Sequence, residues 1–526
     1  MKRTPTNPRS RASAWVCAIC LINPPVWAGA ATQDDSIVEM DLTQLRAALD
    51  SGALTAVELV RAYLRRIEAL DRPAGGLHAV MAINDQALEQ ARAWDAQRAQ
   101  QCAGRPGAAL AGIPFLVKDN IDAVGLPTTG GSLVLAHSLP QRNAFVVQKL
   151  LDQGAILLGK TNLSELAASY GWYGYSSVGG QTLNPFNPLR TADGSSSGSA
   201  AAVAARLAPF ALGTDTTGSI RSPASVTGTV GMRSSKGLVS RGGVIPMSLT
   251  ADVVGAITRS VQDQAIVLDA IEGEDRKDAA THGVVRPRAP LAEGLGHSSL
   301  AGKVIAIVDN FDGANPEVDA IKGSATAALQ RAGARVVNVR LPTAFETLQP
   351  DVLGPIGLAE FRPQFEAYLA TLAPVQPRGL GEFMNRLEAL TDNGSRLINP
   401  ARYKGLQENL ATLSTDSPEY IERLSVVIPS LRRELQGLMD AGKFDALFFA
   451  TMSCTAPVLP GQTDASFMCK GYPYAAAKIA STTGFPEITV KGGVATGNLP
   501  VGVSFLGRAG QDAHVLALAA AFERAR

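Results

Sequence analysis

Apolar positions along this chain change spacing as it proceeds, and the changes mark out helices and strands. Val57, Val60, Leu64, Ile67 and Leu70 recur at helical spacing behind the capping box Thr55-Ala56-Val57-Glu58, which predicts an amphipathic helix. Asp41 to Asp50 reads as a shorter helix with Gly52 just beyond its end. From Leu77 the texture alternates. His78 to Ile83, Ile113 to Val117, Ala155 to Leu158 and Phe210 to Leu212 are short apolar runs that predict strands. Asp85 to Cys102, Ala144 to Leu151 and Ser199 to Leu207 predict helices between them. A second such unit runs from Lys303 to Val308, through a helix, to Ala334 to Val339. Ala446 to Ala450, Glu487 to Val490 and Val501 to Leu506 predict late strands, and Gly510 to Ala525 a closing helix. This alternation predicts an α/β fold with a mixed or mostly parallel sheet covered by helices on both faces.

Composition narrows the class. The chain has 526 residues, 46% of them hydrophobic and 18% charged, enough for a large core. Lys plus Arg total 48 against 47 for Asp plus Glu, so no charge excess points to nucleic acid or an anionic membrane as partner. The N-terminus differs in kind. Lys2, Arg3, Arg9 and Arg11 precede an uncharged, mostly apolar stretch from Ala12 to Trp27, and Ala28-Gly29-Ala30 follows with small residues. Residues 1–30 are therefore expected to be a signal peptide, directing the protein to the periplasm or the exterior. Residues 31–75 read as a helical preface and 76–526 as the main domain, with 300–440 its variable, more helical part. Of five cysteines, Cys17 and Cys20 would leave with the signal, and Cys454 and Cys469 could pair in an oxidising compartment. The five histidines are scattered singly, and neither a metal site nor a cofactor is expected.

Two motifs match patterns whose structural context they lack. Gly154-Ala155-Ile156-Leu157-Leu158-Gly159-Lys160-Thr161 has the spacing of a phosphate-binding loop. A helix precedes it where a strand is required, and its interior is apolar, so it reads as a turn, a core strand and a structural Lys160. Gly194-Ser195-Ser196-Ser197-Gly198 has the spacing of a nucleophile elbow. It follows a turn-rich loop, Asn184 to Arg190, rather than an apolar strand. An esterase using Ser196 with one of the downstream histidines nonetheless stays open as an alternative.

A third constellation needs no histidine. Gly112-Ile113-Pro114-Phe115-Leu116-Val117-Lys118-Asp119-Asn120 ends an apolar run on a lysine, and Gly159-Lys160-Thr161-Asn162-Leu163-Ser164-Glu165 follows. The stretch from Gly194 to Arg221 then carries a serine-rich turn, a small-residue run and a second glycine-flanked serine. Gly484-Phe485-Pro486 and Leu499-Pro500-Val501-Gly502 lie near the end. Together these residues resemble the amidase signature family. The block Gly194 to Ala200, with Gly180-Gln181-Thr182 before it, most resembles the peptide-amidase branch.

The resemblance implies an amidase-signature fold and a hydrolase that splits carboxamide C–N bonds through an acyl-enzyme. Ser219 matches the family nucleophile, Ser195 the bridging serine preceded by a cis peptide bond, and Lys118 the base. Backbone N–H groups of Thr216, Thr217, Gly218 and Ser219 match the oxyanion hole. Ser196, Asp215 and Arg221 are expected to hold the loops, and Asp119 and Asn120 to be structural. The chemistry is coherent, because a lysine serves as base only when uncharged, and burial favours that form. Two positions depart from the family pattern. Thr217 and Asp193 stand where many members carry glycine, which bears on substrate size rather than reaction class. The implied substrate is a small-molecule or peptide amide, with C-terminal peptide amides favoured, handled by a monomer or homodimer. A glutamine-amidotransferase component of the same family, working on charged transfer RNA with partner chains, is the other alternative.

Overall fold

A computed structural model describes Met1 and residues 33–100, 107–392, 398–412 and 414–526. The expected signal segment and Cys102 lie outside the described residues.

An 11-stranded mixed sheet organises the chain. Its strands run in the spatial order Val80–Ile83, Ile156–Thr161, Pro114–Lys118, Ala211–Asp215, Val253–Thr258, Val230–Arg233, Glu487–Ala495, Leu499–Leu506, Ala446–Ala450, Val304–Val308 and Arg335–Val339. Pro114–Lys118 pairs in parallel with both its neighbours, and so does Val304–Val308. The strands between these two regions pair antiparallel. The sheet is thus mixed, with a parallel region towards each end.

Alternation of side chains places apolar packing on both faces. Ile305 and Ile307 join one buried cluster, while Ala306 and Val308 join another. Ala446 and Phe448 likewise part from Leu447 and Phe449. The helices Pro316–Arg331 and Asp512–Ala525 cover the first face, and Ile428–Ala441 with Lys478–Thr483 the second. Fully buried runs of this kind are what a sheet covered on two sides requires.

The expected helical start is present as Gln33–Glu39, Leu42–Ser51 and Ala56–Leu70. Thr55 and Glu58 form the capping box, and Gly52 takes the left-handed conformation that ends the preceding helix. Leu45, Leu59 and Tyr63 bury into the main cluster, so these helices share the core of the sheet.

Several boundaries differ from the pattern-based reading. The run 155–158 continues to Thr161, and 210–212 continues to Asp215, because flanking Gly159 and Gly213 are tolerated inside these strands. Val230–Arg233 and Val253–Thr258 are central strands that the apolar pattern does not predict. The stretch read as a loop before the serine turn contains a two-stranded ribbon, Leu183–Asn184 with Asn187–Thr191, separate from the main sheet. Cys454 and Cys469 are joined by a disulfide.

Phe448 packs edge-on against Phe505 and Phe522 at centroid distances of 5.0 and 6.0 Å. Phe448→Ala should destabilise the fold by about 3–5 kcal/mol, read as a lowered urea midpoint at unchanged slope.

Candidate active site

The strands Pro114–Lys118 and Ala211–Asp215 lie side by side and end at the same edge region. Their last residues and the two serine segments converge there. Lys118 is fully buried. Its Nζ stands 2.7 Å from Ser195 Oγ, 3.1 Å from Ser196 Oγ and 2.8 Å from Thr214 Oγ1. No carboxylate among the described residues lies within the 4.0 Å of an ion pair with it. Burial without a counter-charge penalises the ammonium form and brings its pKa down from 10.5 to about 7, against weaker upward pulls from Asp215 and Asp252. The amine is half uncharged near neutral pH as a result.

The serine turn is held close to the sheet by short contacts. Gly194–Ser195 is the one cis peptide bond among the described residues. Ser195 carbonyl accepts from Ser164 N–H at 3.1 Å, and Ser196 N–H donates to Ser219 carbonyl at 3.1 Å, which stitches the two serine segments together. Ser196 Oγ donates to Thr214 carbonyl at 3.1 Å. At Gly198 a Cβ would fall 2.4 Å from Ala79 carbonyl oxygen, so only glycine permits this approach.

Asp215 anchors the second serine segment. Its carboxylate accepts from Gly218 N–H at 2.8 Å, Ile220 N–H at 3.2 Å and Arg221 Nε at 2.9 Å. Arg233 reaches the same carboxylate at 3.1 Å, and Arg221 extends to Glu487 at 2.5 Å. Burial alone would raise the Asp215 pKa, but the Arg221 and Arg233 guanidiniums hold it well below the usual carboxylate range. The bond from Gly218 qualifies the expected oxyanion hole, since that N–H is turned onto Asp215. Thr216, Thr217 and Ser219 line the neighbouring cavity along with Gly218.

That cavity has a volume of about 460 Å³. Ser219 is partly exposed on its wall, which it shares with the aromatic residues Tyr170, Tyr173, Tyr472 and Tyr474. None of the five histidines lines it. The elbow reading loses its partners here, because His282 contacts Asp275 carbonyl and His514 pairs with Asp445 at 3.1 Å. Lys160, the apparent phosphate-loop lysine, is buried at the end of its strand and donates to Ile121 carbonyl at 2.8 Å and Thr128 Oγ1 at 3.0 Å. It also pairs with Asp119 at 3.1 Å, so Lys160 and Asp119 are structural. Asn120 donates to Thr214 Oγ1 at 3.1 Å and thereby orients an acceptor of Lys118. Among the described residues, no group of three or more His, Cys, Asp or Glu is gathered to hold a metal ion.

Four residues of the site carry no local signal in the sequence that places them there. Thr214 looks like any strand threonine, and Arg233 lies in a strand that the apolar pattern misses. Asp193 and Lys478 are 285 positions apart but line the same cavity. Asp193 has φ of 58°, a left-handed conformation that favours glycine, and its carboxylate accepts the N–H of Gly194 at 2.6 Å. That local bond accounts for an aspartate being accepted where many family members have glycine.

The family model described as Amidase matches residues 58–516, and the chain belongs to the amidase signature family. Members of this family are amidohydrolases acting on C–N amide bonds. The fold superposes on native peptide amidase from Stenotrophomonas maltophilia with a TM-score of 0.82 and 36% identity, over 92% of this chain and 96% of that one. An amidase family protein from Bacillus anthracis gives 0.81 at 29% identity, over 94% and 92% of the two chains. A glutamyl-tRNA(Gln) amidotransferase subunit from Thermus thermophilus is 33% identical over 92% of this chain and 96% of its own.

Replacing Arg221 with Met would leave Asp215 and Glu487 buried without their shared cation. The variant should lose about 3–5 kcal/mol of stability at neutral pH, measured by denaturant unfolding.

Proposed function

We propose that this chain hydrolyses carboxamides through an acyl-enzyme on Ser219, with Lys118 as base and Ser195 as the bridging hydroxyl. The observation that carries the reading is the buried Lys118 amine, 2.7 Å from Ser195 Oγ and without a counter-charge. A hydroxyl can accept one proton while giving up another, so Ser195 suits a relay. The Ser219 proton passes to Ser195, whose own proton passes to Lys118 Nζ. The freed Ser219 oxygen attacks the carbonyl carbon, and negative charge gathers on the carbonyl oxygen. Backbone N–H groups of the Thr216–Ser219 segment stabilise that charge without having to reorganise. The proton then returns through Ser195 to the leaving nitrogen, the C–N bond breaks, and ammonia or an amine departs. Water, activated by the same relay, splits the Ser219 ester and releases the acid.

The likeness to a peptide amidase favours peptide C-terminal amides or other large amides, and the aromatic-walled cavity is roomy enough for a side chain beside the scissile group. The likeness to a glutamyl-tRNA(Gln) amidotransferase component supports a second reading, in which partner chains deliver the acceptor. Co-purification of such partners would favour it. Export to an oxidising compartment, as the basic and apolar N-terminus suggests, suits the Cys454–Cys469 bond and favours the free-standing hydrolase.

Ammonia release from a panel of amides that includes amidated peptides tests the reading directly. Ser219→Ala should lower kcat by roughly 10⁴–10⁶-fold. Ser196→Ala should retain turnover; activity lost in it but kept in Ser219→Ala would reverse the assignment to an esterase-like elbow.

Lys118 accepts a proton only in its uncharged form. The kcat/KM profile should therefore rise with pH through about 7 and level off above, well below the 10.5 of an ordinary lysine. A profile still climbing at pH 9 would contradict a dry Lys118.

A further inference from the structure

The cavity wall holds a second buried lysine that the proposed mechanism does not use. Lys478 begins the helix Lys478–Thr483 and is 4% exposed. Its Nζ donates to the carbonyl of Thr217 and lies 5.6 and 5.7 Å from the ring centroids of Tyr472 and Tyr474. No carboxylate among the described residues lies within 4.0 Å of it. A buried ammonium so placed lacks both an ion partner and acceptors for all its three N–H groups.

The carboxylate on the same wall does not meet that need. Asp193 accepts from Gly194 N–H at 2.6 Å and from the Tyr474 hydroxyl at 2.9 Å, so each of its oxygens has a donor within the protein. The outstanding requirement is therefore on the cationic side, and it opens into the cavity. The Thr217 carbonyl that holds Lys478 is two residues from Ser219, which sets the positive charge beside the proposed nucleophile.

We propose that Lys478 is a specificity residue that selects amides bearing a carboxylate close to the scissile carbonyl, such as the α-amide of an acidic residue. The proposal rests on the hydrolase reading for its choice of substrate. The substrate carboxylate takes the free N–H donors, while the bond to the Thr217 carbonyl keeps the cation in register with the segment that carries Ser219. The two tyrosine rings favour the cation through their faces and exclude water from the pair. Asp193, held by Tyr474, places negative charge on the same wall and disfavours an acidic group bound away from Lys478.

The test compares N-acetylglutamic acid α-amide with the neutral N-acetylmethionine amide, which has similar reach. Ammonia release is followed for wild type, Lys478→Met and Lys478→Arg at pH 6.5. In wild type kcat/KM should favour the glutamic amide, and that preference should fall at least tenfold in Lys478→Met and persist in Lys478→Arg. A lysine that merely braces the Thr217 carbonyl would lower kcat for both amides alike and leave their ratio unchanged, which would overturn the proposal. Calorimetric binding of the same two amides to Ser219→Ala, with and without Lys478→Met, reads the site apart from turnover. Charge-dependent binding without turnover in wild type would uphold the lysine's role and refute the hydrolase reading. Turnover without charge discrimination would do the reverse. Should Lys478→Met fail to fold, Lys478→Gln serves in its place, with the same ratio deciding.

Discussion

Desolvation of a single amine is the constraint around which the rest of the site is arranged. Lys118 is carried inward by Pro114–Lys118, a strand whose five residues are all buried. Water would keep its ammonium charged, and a nearby carboxylate would do the same. The fold supplies neither, and surrounds the amine with Ser195, Ser196 and Thr214 hydroxyls instead. Hydroxyls accept from an amine or donate to it, so they satisfy it in either protonation state. The cost of burying the group is what makes it a base near neutral pH.

The opposite solution is used a few residues away. Asp215, Arg221, Arg233 and Glu487 are fully buried and fully ionic in arrangement. They join the strands Ala211–Asp215, Val230–Arg233 and Glu487–Ala495 to the segment that bears Ser219. Each charge has partners of opposite sign, so the cluster is locked rather than poised. Rigidity in this cluster positions the Thr216–Ser219 backbone, while the uncompensated Lys118 supplies reactivity. Two buried sites of opposite electrostatic design thus serve one cavity.

Much of the parallel part of the sheet was legible, because its strands are short, apolar and separated by glycine or amphipathic helices. Val230–Arg233 and Val253–Thr258 escaped for a physical reason. Glycine and charged or hydroxyl residues interrupt their apolar runs, and Arg233 is acceptable in a central strand only because Asp215 lies beside it. The ribbon before the serine turn escaped because it is stabilised by pairing and by contacts with distant loops, including Arg190 with Asp464 at 2.8 Å. Lys160 shows the converse, since apolar context correctly outweighed a full motif match.

Local patterns in the sequence determined the class of fold, the capped N-terminal helices, the strand that ends on Lys118 and the family to which the serine segments belong. These depend on neighbours in the chain, and neighbours can be read. Tertiary structure alone decided that Thr214 and Asn120 surround Lys118, that Gly218 is turned onto Asp215, and that Lys478 shares a wall with Asp193. Those relations depend on solvent being excluded between residues far apart in sequence, and a one-dimensional pattern holds no measure of that exclusion.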